Sequence, residues 1–302
     1  MKKLALLLLV CGLVVTIMAS AASAGEKHKV YLITMDMMDQ HWNNVDAGAR
    51  KAVSEVDNID YTWLAPDRKD DAKQIEVINN TVAAGAEAIL LAANGPTAVT
   101  SALREAESYG VKIIYVDSPA NFPSIASFAT NNKAAGKTAG ETILAALKAK
   151  GISSGSIGIV NINAATQSTV DREAGFREAF DGKGYTLLET QYGEGDVTKS
   201  KDIAANYLTQ GVVGIFAANE GSTTGTGNAI QEDGNRVLAV GFDNSDSIRN
   251  LIRTGALIGA MVQNPSVMGY EAVKCASDVF KGGYKGPASV DTGVTVMTKE
   301  KL

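Results

Sequence analysis

The sequence has few of the residues on which metal centres and disulfide frameworks depend. Its 302 residues include two histidines, His28 and His41, and two cysteines, Cys11 and Cys275. A zinc site takes about four His, Cys or acidic ligands, so this supply argues against a histidine-based metal centre. Acidic residues outnumber basic ones by 33 to 28, and the net charge of −5 argues against nucleic acid as a partner, because phosphates attract a basic face.

Long apolar runs are also missing after residue 24, where no stretch approaches the roughly 20 residues that span a bilayer. Before that point the chain has the pattern of an export signal. Lys2 and Lys3 supply the positive start, 4–18 are apolar, and small residues at 22–24 form a cleavage site. We therefore expect residues 1–24 to be a signal peptide and the product to be periplasmic.

Lipid anchoring would use Cys11, but Val10 precedes it where a small residue is needed. The cleavage site at 22–24 is better formed, so lipidation is disfavoured. Removal of the signal leaves Cys275 as the single cysteine, and no intrachain disulfide can form.

Apolar runs of strand length alternate with segments of helix length through the rest of the chain. In the first half we predict strands at 29–35, 61–64, 88–92 and 111–116, an extended segment at 124–130, and helices at 41–56, 70–84 and from Pro96 onward. In the second half we predict strands at 156–160, 187–191, 213–217, 237–240 and 257–261, and helices at 133–148, 169–180, 199–209, 221–231, 245–253 and 265–280. This order predicts an α/β protein with two doubly wound parallel-sheet lobes.

Polar side chains follow the predicted strands, where ligands of open α/β sheets bind. The candidates at strand ends are Asp39, His41, Trp42, Asn94, Asp117, Ser118, Asn219, Asp243 and Gln263. Carboxylates and amides suit a polyhydroxylated neutral ligand, because each hydroxyl both donates and accepts, and an indole can pack on the C–H face of a sugar. For each residue an alternative stays open: strand-end Asp and Asn also cap helices or form turns, and Trp42 at the start of a helix also fits a core position.

Motifs of enzymes are incomplete in this chain. Residues 131–138 end in Gly-Lys-Thr but begin with Asn131 in place of the first glycine of a phosphate loop. The Gly-Thr-Gly of 225–227 lacks the third glycine of a dinucleotide fingerprint and lies in a predicted helix. Asp36 and Asp39 could be a glycosidase pair, although a loop that caps a helix is favoured. We expect no enzyme, no cofactor and no metal.

Several segments together resemble the periplasmic sugar-binding proteins of the ribose and galactose type, which serve ABC importers. The segments that carry this resemblance are 39–42, 85–89, 116–118, 131–136, 172–176, 215–220, 241–243 and 263–265. The resemblance implies a type 1 periplasmic binding fold, with two lobes joined by a three-segment hinge. It implies an N-terminal lobe of 25–130 plus 264–290 and a C-terminal lobe of 131–263 plus 291–302, closing on one sugar.

The resemblance also implies where the site residues lie. Asp39, His41 and Trp42 would belong to the N-terminal lobe with Asp117 beside them. The second lobe and hinge would supply Asn219, Asp243 and Gln263, and we add Gln167 and Arg172 at the start of the helix predicted at 169–180. The expected partners are a sugar and a membrane permease, and presentation to a chemoreceptor is compatible with this function.

The chain departs from the ribose-type pattern at several positions. Val170 stands where we align a ligand-contacting arginine of the family, and Arg172 matches a neighbouring one. Gly195 stands where the family has a second stacking aromatic. Two other functions stay open. One is an effector-binding module of the Lac-repressor type, which would need a DNA-binding segment where the export signal stands. The other is a receptor for the furanone signal autoinducer-2, disfavoured because we align Met35 with the early lysine of that group.

Overall fold

The computed structural model describes residues 27–302. The predicted signal peptide and the candidate lipidation residue Cys11 lie outside the described residues. Among residues 27–302 no helix is long and apolar enough to cross a membrane.

Thirteen strands and nine helices form within residues 27–302. The strands are β1 (His28–Ile33), β2 (Ile59–Leu64), β3 (Ala88–Leu91), β4 (Lys112–Val116), β5 (Ser127–Ala129), β6 (Gly155–Asn161), β7 (Tyr185–Leu187), β8 (Gln191–Tyr192), β9 (Gly214–Ala217), β10 (Leu238–Phe242), β11 (Gly259–Gln263), β12 (Ser289–Asp291) and β13 (Val294–Met297). The helices are α1 (Gln40–Val53), α2 (Asp71–Ala83), α3 (Thr100–Ser108), α4 (Asn132–Ala149), α5 (Gln167–Ala179), α6 (Val197–Thr209), α7 (Glu220–Glu232), α8 (Asp246–Thr254) and α9 (Pro265–Phe280). A 3₁₀ turn follows at Lys299–Lys301.

The strands form two sheets, one in each lobe. The first has the order β12-β5-β4-β3-β1-β2, and every neighbouring pair is parallel. The second has the order β13-β11-β10-β9-β6-β7, with β8 also on β6. Helices cover both faces of each sheet, so central strands such as β3 and β9 are buried throughout. The predicted α/β fold with two parallel-sheet lobes is confirmed.

Three features of the secondary structure differ from the sequence-based prediction. The edge strands β12 and β13 were not predicted, and β13 runs antiparallel to β11. Both are short and partly exposed, so they lack the continuous apolar run that marks a buried strand. The helix predicted to open at Pro96 begins at Thr100 instead. Residues 96–99 form a turn, in which the Pro96 carbonyl accepts a hydrogen bond from Asn121 N at 2.8 Å.

The third difference is the strand predicted at 187–191, which is two short strands, β7 and β8. The backbone carbonyls between β7 and β8 accept hydrogen bonds from side chains. Tyr207 Oη donates to Glu189 O at 2.6 Å, and Arg177 Nη2 donates to Leu188 O at 3.3 Å. The carbonyls of residues 188 and 189 are thus bonded to side chains, while Leu188 N still donates to Ile157 O of β6 at 2.9 Å.

The chain passes between the two sheets three times, at 130–131, at 264 and at 292–293. The three crossings are hydrogen-bonded to one another. Thr130 Oγ1 donates to Gln263 Oε1 at 2.9 Å, Asn264 Nδ2 donates to Thr292 O at 2.7 Å, and Asp291 Oδ1 accepts from Asn131 N at 3.0 Å. The crossings therefore lie side by side along one edge of the space between the lobes.

Helices α4 and α5 approach each other through reciprocal glycines. A Cβ added at Gly136 would lie 1.9 Å from the carbonyl oxygen of Arg172, and one added at Gly175 would lie 1.9 Å from that of Lys133. The backbones are therefore in direct contact, which only residues without a side chain permit. This contact fixes the position of α5 against α4. It thereby also positions Arg172, whose side chain donates to Ala218 O at the end of β9 in the second sheet.

We expect Gly175→Ala to lower the free energy of unfolding by about 1–3 kcal/mol, because its methyl group must push the two helices apart. This loss outweighs the gain of about 1 kcal/mol that alanine has over glycine in a helix. Urea denaturation checks it, with the exposed neighbour Ala174→Ser as the control, which should stay within about 0.5 kcal/mol of the wild type. A Gly175→Ala protein as stable as the wild type would contradict the close packing.

Candidate functional site

The imidazole of His41 lies between two carboxylates that come from opposite lobes. Its Nε2 is 3.0 Å from Asp117 Oδ2, at the end of β4, and its Nδ1 is 3.6 Å from Asp243 Oδ1, at the end of β10. All three side chains are buried, with 6 % or less of their surface exposed. The strand ends of both sheets thus converge on one residue at the start of α1.

Both carboxylates stand on strained backbone. Asp117 has φ +63° and Asp243 has φ +77°, a left-handed conformation that costs a non-glycine residue about 1 kcal/mol or more. Each is held by the neighbouring strand, since Asp117 N donates to Phe128 O and Asp243 N donates to Met261 O, both at 2.9 Å. The same backbone conformation at the ends of β4 and β10 thus directs one carboxylate from each lobe into the space between the lobes.

Arg172 is locked in place from the second lobe. Its Nε donates to Asn132 Oδ1 at 2.8 Å, and its Nη1 donates to Ala218 O at 2.9 Å. The guanidinium carbon lies 4.3 Å from the centroid of the Phe242 ring, and Nη2 lies 4.0 Å from Asp117 Oδ2. A cation fixed on four sides can serve as a rigid donor to a bound oxygen atom.

Gln263 holds Asp243 by donating from Nε2 to Oδ1 at 2.6 Å. The other amide atom, Oε1, accepts from Thr130 in the neighbouring crossing. Gln263 therefore connects the candidate site directly to the crossings.

Two charged residues of the site were not among the predicted candidates. Lys69, between β2 and α2, places Nζ 2.9 Å from Asp39 Oδ2 and also pairs with Asp36. Glu220, at the start of α7, accepts hydrogen bonds from Gln40 N and His41 N, both at 3.0 Å. Lys69 lies in a charged run that is typical of an exposed turn, so no pattern in the sequence indicated a site residue there. Glu220 was visible beside Asn219 at a strand end.

The electrostatics of this cluster follow from burial and close charges. Burial alone would lower the pKa of His41, but the hydrogen bond to Asp117 and the charges of Asp117 and Asp243 raise it to about 9. The pKa of Asp117 is lowered, because His41 and Arg172 outweigh its burial. Burial, with the charges of Asp39 and Asp243, raises the pKa of Glu220 to about 7. At neutral pH the imidazole is thus a cation held by two anions.

Eight of the predicted site residues line one central cavity between the lobes. They are Asp39, His41, Trp42, Asp117, Arg172, Asn219, Asp243 and Gln263, joined by Met35, Lys69, Ile162, Ser168 and Thr169. The cavity measures about 20 Å³, room for one water molecule.

The other three candidates lie outside this lining. The carbonyl of Asn94 accepts from Thr166 Oγ1 at 2.7 Å, and Ser118 Oγ accepts from Ser168 N at 3.4 Å. Gln167 is half-buried and donates to Asp171 Oδ1 on its own helix at 2.8 Å. A ligand role for these three stays a prediction.

The helix-cap alternative applies to some candidates and not to others. Asn219 caps α7 through Oδ1, which accepts from Ser222 N at 3.3 Å. Asp39 precedes α1 but makes no side-chain cap, and Ser245 rather than Asp243 caps α8. The two aspartates are therefore available for contacts in the cavity.

Three buried donors in the cavity lining have no hydrogen-bond partner within residues 27–302. They are Trp42 Nε1, Arg172 Nη2 and Asn219 Nδ2, on residues that are 5 % exposed or less. An unpaired buried donor costs about 1–3 kcal/mol, so each calls for an acceptor. The carboxylates of Asp39, Asp117 and Asp243, by contrast, are acceptors that already bond to Lys69, His41 and Gln263 and can accept further hydrogen bonds. The cavity therefore matches a molecule whose groups accept and donate at once.

The lobes touch directly around this cavity. Besides the Glu220 and Thr166 contacts, Asp246 N donates to Gln40 Oε1 at 3.3 Å. These bonds join α1 and the end of β3 to the N-terminal ends of α5, α7 and α8. The structure is a closed arrangement of the two lobes.

Comparisons with known proteins agree with this architecture. The ribose import binding protein RbsB of Haemophilus influenzae is 29 % identical over 269 residues, which cover 88 % of this chain and 90 % of that protein. RbsB of Salmonella typhimurium is 28 % identical over 287 residues, which cover 93 % of this chain and 94 % of that protein.

Among solved structures, a carbohydrate transporter solute binding protein from Agrobacterium radiobacter in complex with D-arabinose is 30 % identical, with a TM-score of 0.86 and coverage of 93 % of this chain and 96 % of that one. An ABC transporter solute binding protein from Agrobacterium vitis with bound D-fucose is 26 % identical, with a TM-score of 0.84 and coverage of 90 % and 96 %. The predicted resemblance to the ribose type is confirmed. The family model of the periplasmic binding protein domain matches residues 30–284, most of the chain, and the protein therefore belongs to that family.

Proposed function

We propose that this protein is an extracytoplasmic solute-binding protein of an ABC importer that captures a neutral monosaccharide or polyol between its lobes. The family implies a periplasmic location, and a membrane permease is the partner that would receive the ligand. The relatives named above import ribose or were solved with D-arabinose and D-fucose. We infer a binding role without turnover.

One observation carries the proposal: unpartnered donors and buried carboxylates face one cavity between two lobes. Trp42, Arg172 and Asn219 need acceptors, while Asp117 and Asp243 can accept. A hydroxyl group satisfies both needs, because its oxygen accepts one hydrogen bond and its hydrogen donates another. A sugar carries several hydroxyls on one rigid ring, so it can satisfy these groups together.

Binding would proceed by closure of the lobes. The cavity of about 20 Å³ is too small to admit a sugar while the lobes are closed. The ligand would enter when they part by rotation at the crossings near 130, 264 and 292, and the lobes would then close around it with a cavity wider than the one described above. A ligand that bonds to both lobes favours the closed state by its differential affinity for it. The permease, and a chemoreceptor if one takes part, would recognise that state.

The lobe boundaries follow from this mechanism. We propose an N-terminal lobe of 25–130 plus 264–290 and a C-terminal lobe of 131–263 plus 291–302. The sheet memberships support this division, with β12 adding Asp291 to the N-terminal sheet.

A thermal-shift screen against pentoses, hexoses, polyols and furanones tests the function. We expect at least one neutral sugar or polyol to raise the melting temperature, because a ligand that binds the folded state stabilises it by mass action. Calorimetry then gives the Kd. A panel in which no sugar or polyol binds would overturn the proposed function, and a response to a furanone alone would favour the autoinducer-2 alternative.

The two tryptophans provide a matched pair for the site. We expect Trp42→Phe to weaken binding of the sugar found in that screen by about tenfold, since Trp42 lines the cavity and its indole N–H has no partner within residues 27–302. Trp63→Phe removes an indole N–H that instead bonds to Thr34 Oγ1 at 2.9 Å, and it should leave the Kd unchanged. Equal affinities for all three proteins would remove Trp42 from the ligand contacts.

The raised pKa of His41 predicts a pH dependence of stability. Protonation is favoured in the folded state, so the stabilisation is present below the unfolded pKa of 6.5 and is lost as pH rises through about 9. We expect the free energy of unfolding to fall over this window by on the order of 1–3 kcal/mol. Urea denaturation at a series of pH values measures it.

The His41→Gln variant should flatten this pH profile. His28→Gln should keep the wild-type slope, because His28 lies outside the site and pairs with Glu87 at the first strand. A wild-type slope in His41→Gln would show that the buried imidazole is not the titrating group.

A further inference from the structure

Lys69 reaches the central cavity from the loop between β2 and α2. Only 7 % of its side chain is exposed, although the residues before it, Asp67 and Arg68, face solvent. Its Nζ is 2.9 Å from Asp39 Oδ2 and also pairs with Asp36. The charges of these two carboxylates outweigh its burial and raise the pKa of Lys69, so it is an ammonium at neutral pH.

The lysine crosses the space between the lobes to cover Gly195, in the turn between β8 and α6. A Cβ added at Gly195 would lie 2.9 Å from Lys69 Cδ and 3.0 Å from both Cε and Nζ. The stem and ammonium of Lys69 therefore occupy the volume into which any side chain at 195 would project. Gly195 also has φ +73°, which favours glycine there. Lys69 also lines the central cavity, so its lining includes a cation.

Lys69 makes a hydrogen bond to Asp39 Oδ2 and an ion pair with Asp36 Oδ2, which leaves at least one of its N–H groups without an acceptor among residues 27–302. An ammonium has three N–H groups, and within residues 27–302 the partners of Lys69 are Asp36 and Asp39. Asp36 is itself fixed, because its Oδ1 accepts from Met38 N at 2.7 Å and from Asp39 N at 3.1 Å. Lys69 is thus held at a defined position with its charge beside the site.

We propose that Lys69 is a ligand-contacting residue that determines specificity, donating an N–H to an oxygen of the sugar in the central cavity. This inference rests on the proposed function and names a further residue of the same site. A hydroxyl fits this position, because it can accept from Lys69 and donate to Asp39. A methylene at the same place would leave the ammonium without that acceptor, which costs affinity. A ligand carboxylate would meet Asp36 and Asp39 and be repelled. The site therefore selects a fully hydroxylated neutral sugar over its deoxy analogue and over sugar acids.

Calorimetry on Lys69→Met tests this proposal. The substitution keeps the length and the apolar stem of the side chain and removes the N–H donors. The probes are D-ribose, D-arabinose, D-tagatose and D-galactose, followed by the monodeoxy analogues of whichever binds the wild type most tightly. Lys73→Met is the matched control, because Lys73 pairs with Asp67 at the surface outside the cavity.

We expect Lys69→Met to weaken binding of the parent sugar by at least about tenfold, and Lys73→Met to leave it unchanged. For one monodeoxy analogue, the wild type and Lys69→Met should have similar Kd values, because that analogue lacks the hydroxyl that contacts Lys69. A purely structural role would not produce that coincidence, since it would weaken every analogue by the same factor.

Lys69→Met leaves two buried carboxylates without their cation, which can unfold the protein. The double variant Lys69→Met/Asp36→Asn removes one of those charges and keeps the Oδ1 acceptor for Met38 and Asp39. Circular dichroism establishes that the chosen variant is folded before its Kd is measured.

A parent-sugar Kd within about threefold of the wild type, or an equal loss for every monodeoxy analogue, would overturn the role of Lys69. A wild type that binds none of the four sugars and no polyol would instead overturn the proposed function.

Discussion

A buried imidazolium between two carboxylates is the interaction on which the arrangement of this protein depends. His41 and Asp117 come from one lobe and Asp243 and Arg172 from the other, so the two cations and two carboxylates come together only when the lobes are in contact. Each of these groups would be costly to bury alone, and their mutual proximity offsets that cost. The fold, the strained aspartates and the contacts of Arg172 and Gln263 all serve to hold this cluster in one geometry.

Much of the fold could be predicted from the sequence, because buried strands and helices leave a periodic record. The helix predicted at 265–280 has those bounds in the structure, and the other long elements are displaced by a few residues. Prediction failed where burial is incomplete. The edge strands β12 and β13 have no continuous apolar run, and the segment at 187–191 is divided by side-chain bonds from distant residues.

The candidate site was predictable to the extent that its residues follow strands. Trp42, Asp117 and Asp243 were placed by that rule, and the structure brings them to one cavity. Lys69 could not be found in this way, because its role depends on a glycine in the opposite lobe. Asn219 shows a different limit: it caps a helix through one amide atom and faces the cavity with the other, so the two interpretations of a strand-end asparagine both hold.

Gln263 bonds to Thr130 on one side and to Asp243 on the other. The same amide therefore belongs both to the segments about which the lobes would turn and to the lining of the site. If the lobes close on a ligand as proposed, a change that shifts their preferred angle would shift the affinity for the ligand, and binding would shift the angle by the same coupling free energy. Under the proposed mechanism, substitutions at the crossings would change the strength of ligand binding without altering a residue in contact with the ligand.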